Sequence, residues 1–376
     1  MNSNDQKIYI EKLHPMIQDH ADKLNWPRNV SPQEVSVRRL DGLTNFSFKV
    51  SLPFYPTIMA QVFGDGVLSR LISRQKDNMA TKLVGEHKIG TKVLYFTENS
   101  RIEEFNHGTM LSKDDIQTKE QKAEIMYYLT QIHKLRPEFC QKKNMLDSSI
   151  DGDYPIIKLF NQSKKIKWSS LSEDEKQKLQ FIEKNLLEGN GLQKLQKFFQ
   201  NSNLVFSHND LHTGNIIRDP NGSLVVIDFE YCGYNIPTYD IACLLFEYLV
   251  DYQISSPPFF KYSPEDKVNQ EELDYILFYY LFFYNLDKKL SSGEVWKYLN
   301  NQNLARQVLL SKLSRDEIKE ELNKLRKEIK ASLALSHFHW SLWSILMCKA
   351  DNINFDYLDF GYMRAKEFLT CMQSLE

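Results

Sequence analysis

Apolar positions change their spacing along this 376-residue chain, and the change divides it near residue 106. Ile10, Leu13, Ile17 and Leu24 recur at helical intervals and predict a leading helix over 7–24. From Val35 to Val50 the period falls to two. Val35, Val37 and Leu40 precede a turn at Asp41-Gly42-Leu43-Thr44-Asn45, and Phe46, Phe48 and Val50 follow it, which predicts two antiparallel strands. Ile58–Phe63 reads as a third strand, 72–86 as a helix, and Val93–Phe96 and Arg101–Phe105 as further strands. Beyond residue 106, Ile116–Leu135, Glu173–Leu187 and Arg315–Leu335 carry helical periodicity with charged outer faces.

One stretch interrupts the helical part. Leu204-Val205-Phe206 is predicted as a buried strand; Ile216-Ile217-Arg218 and Leu224-Val225-Val226-Ile227 follow as two strands. The turn Asp219-Pro220-Asn221-Gly222 joins them with residues suited to tight reversal. A hairpin brings its ends together, so Asn215 and Asp228 should lie side by side, with Asp210 on the loop just before. Asp and Asn offer hard oxygens to Mg²⁺, which takes few protein ligands and completes its shell with water and phosphate. Asp210 is then available to accept a hydroxyl proton. A carboxylate, an amide and a later Asp-Phe carboxylate in this order are the parts of a phosphotransferase of the protein-kinase type. The bland alternative, a turn-rich hairpin with solvated acids, leaves His-x-Asp-x4-Asn in register with Asp-Phe to coincidence. The pattern predicts a two-lobed protein-kinase-like α+β fold. Residues 1–105 would form a small β-rich N-terminal lobe and 106–376 a larger, mainly helical C-terminal lobe, with the active site between them.

Composition narrows the class. Hydrophobic residues make up 42% and charged residues 26%, as in an ordinary globular protein. A net charge of −2 argues against a nucleic-acid binder working through a broad basic surface. Five scattered cysteines without a Cys-x-x-Cys argue against a disulfide framework or a zinc site and for a reducing compartment. The polar N-terminus has no apolar signal segment. The most apolar stretch, Leu273–Leu286, includes Asp274 and is shorter than the roughly 20 residues of a membrane span. It is predicted as a buried helix, and the protein as cytoplasmic with no integral membrane span.

The wording of the motifs resembles the choline/ethanolamine kinase family. Ser207-His208-Asn209-Asp210-Leu211 with Asn215, then Ile227-Asp228-Phe229-Glu230-Tyr231, carry the resemblance at the centre of the chain. Glu230 stands where protein kinases have Gly, and Asn209 where they have Arg. The likeness runs through Tyr239-Asp240-Ile241 and Glu247 to Ser336–Ser344 and Phe355–Phe360, and upstream to Gly42–Asn45 and Arg101–Phe105. It implies Mg²⁺ and ATP as co-substrate, choline or ethanolamine as acceptor, and admits a homodimer. Asp210 would be the base, and Asn215 and Asp228 the metal ligands, with Glu230 at a second ion or its waters. Gly42, Thr44, Asn45, Gln61 and the Glu103–Phe105 backbone would meet the nucleotide. Aromatic faces bind ammonium groups, each contributing ~0.5–2 kcal/mol. Trp340 and Trp343 share one helix face, and with Tyr252, Phe259, Phe355, Phe360 and the carboxylate of Glu247 they are the implied acceptor site; core packing is the competing role for these rings.

Two departures from the family pattern stand out. Gln61 in Gln61-Val62-Phe63-Gly64 replaces a basic residue that meets the phosphates, its acidic partner being Asp77, and Arg38, Lys49, Arg70 and Arg74 are candidates to compensate. Ala242-Cys243-Leu244 replaces a polar Asn-His pair. An aminoglycoside-type small-molecule kinase and a catalytically silent pseudokinase are the rival readings.

Overall fold

The computed structural model describes residues 3–40, 45–64, 72–143, 146, 156–166, 168, 171–348 and 355–375. Strands β1 (Ser36–Leu40), β2 (Asn45–Ser51), β3 (Ile58–Phe63), β4 (Val93–Phe96) and β5 (Ser100–Glu104) form one antiparallel sheet in the order β1-β2-β3-β5-β4. Ser47 pairs with Gln61 and Gln61 with Arg101; one step along, Phe48 pairs with Ala60 and Ala60 with Ile102. Successive side chains point to opposite faces. Phe48, Val50, Ile58, Ala60 and Ile102 therefore share an apolar face, which packs on Leu13, Ile17, Ala21 and Leu24 of the N-terminal helices. Asn45, Ser47, Gln61, Arg101 and Glu103 share the other face, which is polar.

The leading helix differs from its prediction in one respect. Residues Tyr9–Leu13 form a π turn, and this wider turn rotates the chain. Tyr9 is 2% exposed on the sheet, whereas Ile10, expected in the core, is 43% exposed.

In the remainder, β7 (Val205–Ser207) pairs with β10 (Gly233–Asn235). β8 (Ile216–Arg218) pairs with β6 (Thr109–Met110) and β9 (Leu224–Val226). Helices surround these short strands. The Gln270–Tyr284 helix is buried from Tyr275 to Phe283, as its composition predicts. Among the described residues no helix is long and apolar enough to cross a membrane. The Arg315–Met347 helix runs 33 residues, well past the expected end at 335, because its second half is buried on all sides and needs no polar face. It packs on the Tyr357–Gln373 helix at Gly361, where a Cβ would lie 3.1 Å from that of Ser344. The Ser341 hydroxyl donates to the Gly361 carbonyl at 2.7 Å, so a small residue fixes this crossing.

Candidate active site

The central hairpin positions its ends as the turn chemistry requires. Asp219 Oδ1 accepts from the N–H groups of Asn221 and Ser223, both at 2.9 Å, and Gly222 takes φ 83°, a conformation a side chain would resist. Ile216 pairs with Val226, and the Ile227 N–H donates to the Asn215 carbonyl at 3.0 Å. Asp228 therefore follows directly beside Asn215.

The loop leaving β7 is clamped from below. The N–H groups of His208 and Asn209 donate to Asp240 at 2.9 and 2.7 Å, and His133 Nε2 lies 3.0 Å from the same carboxylate. Asp240 is fully buried, where an unpaired carboxylate would be costly. Asn209 (φ 67°) and Asp228 (φ 65°) both occupy the left-handed region, which Asn and Asp tolerate best among residues with a side chain. Asn209 is held there by its amide: Nδ2 donates to the Tyr231 carbonyl at 3.0 Å, and Oδ1 accepts from Asn235 at 2.8 Å. Where protein kinases carry Arg, this chain thus uses an amide to knit the loop. His208 Nε2 lies 2.8 Å from the Ile227 carbonyl, and Nδ1 accepts from the Asp210 N–H at 3.2 Å. Burial pushes its pKa down, so the ring is a neutral structural bridge.

Asn215 Nδ2 donates to the Asp210 carbonyl at 2.9 Å and to its Oδ2 at 3.4 Å, leaving the amide oxygen for a ligand. Desolvation and the neighbouring Asp228, Glu247 and Glu230 hold the Asp210 carboxyl well above its ordinary range. The Asp228 side chain is open at the cleft. The surrounding walls still desolvate its charge, and with Asp77 nearby its pKa is pushed up to about 6, while Arg101 and Arg74 pull it down. Converging acids of this kind are charge in want of a cation. Among the described residues no three His, Cys, Asp or Glu form a protein cage for a metal. A sparse pair of hard oxygens suits Mg²⁺, which keeps water and phosphate in its shell.

Across the cleft, Glu230 Oε2 accepts from Arg74 at 3.3 Å and faces Asn45 Nδ2 at 3.5 Å, tying the hairpin region to the sheet. Gln61 Nε2 donates to Ser47 Oγ at 3.0 Å. Asp77, the expected acidic partner of β3, is paired instead with Arg101 of β5 at 3.0 Å. Of the compensating cations expected, Arg74 reaches this cleft. Lys49 lies over the Phe105 ring at 4.6 Å, and Arg38 is exposed on the outer strand. Gly42, Thr44 and Arg70 lie outside the described residues. The Glu103 side chain is buried against Arg101, and the N–H groups of Glu104 and Phe105 donate to the Lys92 and Thr57 carbonyls.

The implied acceptor residues form a continuous aromatic wall. Trp340 and Trp343 pack edge to face at 5.3 Å, Trp340 touches Tyr231 at 5.7 Å, and Trp343 Nε1 donates to the Tyr231 hydroxyl at 3.2 Å. Tyr357 joins Trp343 to Phe355, and Tyr252 lies 6.1 and 6.3 Å from Phe355 and Phe360. The ring from the proline loop that packs against Phe355 and Phe360 is Phe260, at 5.5 and 5.3 Å. Its neighbour Phe259 supplies the φ 65° bend. The Tyr252 hydroxyl donates to Glu247 Oε2 at 2.6 Å, and Arg364 lies 3.6 Å from Oε1. Arg364 is fully buried and stacks on Phe246 at 3.6 Å. Cys243, in the departing Ala-Cys-Leu segment, is buried beside Ser336.

Arg101, Asp240, Tyr231, Phe260 and Arg364 escaped assignment from sequence. Four of them lie inside or beside segments that carry the resemblance, which was the available signal; Phe260 adjoins a predicted ring.

The sequence profile described as choline/ethanolamine kinase matches residues 37–369. A human choline/ethanolamine kinase is 26% identical over 356 residues, covering 90% of this chain and 80% of the relative. A probable choline kinase of Arabidopsis thaliana is 26% identical over 351 residues, covering 91% and 87%. Among solved structures, an ethanolamine kinase of Plasmodium vivax superposes with TM-score 0.71 at 22% identity, covering 100% of this chain and 91% of that one. A choline kinase of Cryptosporidium parvum gives 0.65 at 20% identity, covering 92% and 91%. These likenesses establish the protein-kinase-like fold. With a profile match over that length, the chain belongs to the choline/ethanolamine kinase family.

Proposed function

We propose that this kinase transfers the γ-phosphoryl group of ATP to the hydroxyl of choline or ethanolamine. The observation that carries the reading is the position of Asp210, whose Oδ2 accepts from Asn215 at 3.4 Å and whose carboxyl is raised by burial and by the charges of Asp228, Glu247 and Glu230. These neighbours support a reading in which one carboxylate serves both a metal-type pair and a cation site that includes Glu247. Residues 1–105 would carry the nucleotide and 106–376 the acceptor. Trp340, Trp343, Tyr252, Phe355 and Phe360, with Glu247, would hold the ammonium by its attraction to aromatic faces and a carboxylate.

Asn215 and Asp228 would hold Mg²⁺, with Glu230 at a second ion or its waters. Bound there, the metal offsets phosphate charge and orients the γ-phosphoryl group. Asp210 accepts the hydroxyl proton as the alcohol oxygen bonds to phosphorus and the bond to the ADP oxygen breaks. Such general-base help is typically worth ~10²–10⁴-fold in rate. The test is ADP and phosphorylated-alcohol production with choline, ethanolamine and their partly methylated intermediates. The reading predicts one ADP per phosphorylated alcohol, lost when Mg²⁺ is chelated. A folded protein that turns over none of these alcohols contradicts it.

A further inference from the structure

The cleft face of the sheet lacks a cation at the centre of β3, where Gln61 stands. A kinase site needs a fixed positive charge for the nucleotide phosphates and ties it to an acid on the following helix. We propose that Arg101 on β5 has taken over that duty, anchoring Asp77 and facing the nucleotide phosphates from the strand beside Gln61. The proposal rests on the kinase reading above, because the phosphates are those of ATP.

Register is the first support. Gln61 and Arg101 are direct cross-strand partners, so their side chains stand next to each other on one face. The second is the ion pair itself. Arg101 Nη1 lies 3.0 Å from Asp77 and 3.1 Å from Asn78 Oδ1, and Nε donates to Glu103 at 2.7 Å. The guanidinium is a rigid fork: Nε and Nη1 hold these partners from its two sides, and Nη2, which lies between them and enters none of the three contacts, is the donor we assign to another anion, although the residue as a whole is 4% exposed. The third is Gln61. Its amide nitrogen is bound to Ser47, and its buried Oε1 has no hydrogen-bond partner among the described residues. An amide so placed fills the space of the missing cation without replacing its charge. Phe63 lies 5.6 Å from the Arg101 guanidinium and 4.7 Å from that of Arg74, so two cations converge on the same corner of the cleft.

The test measures equilibrium binding of MgATP and of adenosine to the full chain, without turnover. Arg101→Gln should weaken MgATP by about tenfold or more, the scale of a lost charge-assisted contact, and leave adenosine unchanged. Adding Gln61→Arg to that variant returns a cation to the adjacent register position and should recover much of the loss. A folded Arg101→Gln variant that binds MgATP as tightly as the unsubstituted chain overturns the proposal, as does one that loses adenosine and MgATP alike. If Arg101→Gln does not fold, Arg101→Lys keeps the charge and removes the fork. It should bind MgATP several-fold more weakly with adenosine unchanged, and unaltered MgATP binding would again overturn the proposal. Failure to phosphorylate choline or ethanolamine, with these binding results intact, would strike the acceptor assignment and not Arg101.

Discussion

The two walls of the cleft are built by different means. The lower wall takes Asp210, Asn215, Asp228 and Glu230 from one segment of about twenty residues, shaped by a tight turn and a buried clamp on Asp240. The upper wall gathers Asn45, Gln61, Asp77 and Arg101 from three strands and a helix. Local chemistry fixes the first; strand register fixes the second. A function spread over neighbouring strands can pass from one to the next without changing the fold, and the Gln61–Arg101 pair is where we propose such a transfer. A function held in one loop has no such freedom.

The sharpest break should come from the lower wall. Asp210→Asn keeps size and hydrogen bonding but removes the base, so kcat should fall ~10²–10⁴-fold with the fold and both KM values retained. Retention of more than about a tenth of the rate would take the base away from Asp210. Next in size is the metal pair. Asp228→Ala removes a full charge facing the ion and should weaken Mg²⁺-dependent nucleotide binding more than Asn215→Ala does. Titration of Mg²⁺ against ATP binding reads the difference, and equal small shifts would mean that the ion sits elsewhere.

A smaller effect tests whether the tryptophans bind or merely pack. Trp340→Leu or Trp343→Leu keeps much of the buried apolar volume and removes the π-face, worth ~0.5–2 kcal/mol to a bound cation. KM for choline should rise several-fold while KM for ATP changes little. A collapse in Tm without a specific KM change would make these rings core residues.

Smallest, and specific in sign, is the pH response. The Asp210 and Asp228 carboxyls sit above their ordinary range, the latter at about 6, and in their proposed roles as base and metal ligand both act ionised. Activity should fall as pH drops through that region. Raised carboxyl pKa values also mean that the ligand-free folded state holds these protons more tightly than the unfolded chain, so the two acids weaken folding as pH rises. Asp228→Asn should therefore raise the Tm of ligand-free protein most above about pH 6, with the gain shrinking as pH falls and vanishing below the ordinary carboxylate value of 3.8. A pH-independent change in Tm would exclude charge repulsion as its cause.

Much of this was legible in the sequence because much of it is local. The hairpin, its turn and the Asn215–Asp228 juxtaposition follow from contiguous residues, and the alternation in β2 and β3 separates the two faces of the sheet. The rest needed distant pairings. Arg101 meets Gln61 because β5, and not the edge strand β4, lies beside β3. Asp240 finds His133, more than a hundred residues earlier, only in the folded chain. Arg364, on the Tyr357–Gln373 helix, reaches Glu247 at the end of the distant Pro237–Glu247 helix only in the folded chain. Tyr9 replaces Ile10 in the core through a π turn that a 3.6-residue period does not foresee.

The central claim is that one cleft joins a nucleotide-metal site to a cation site at Asp210. Its most direct test is the ratio of kcat/KM for choline to that for the uncharged isostere 3,3-dimethylbutan-1-ol at saturating MgATP. Several aromatic faces and a carboxylate acting on the cation predict a preference for choline of about tenfold or more, reduced in Trp340→Leu. Equal kcat/KM for the two alcohols, unchanged by that substitution, would contradict it.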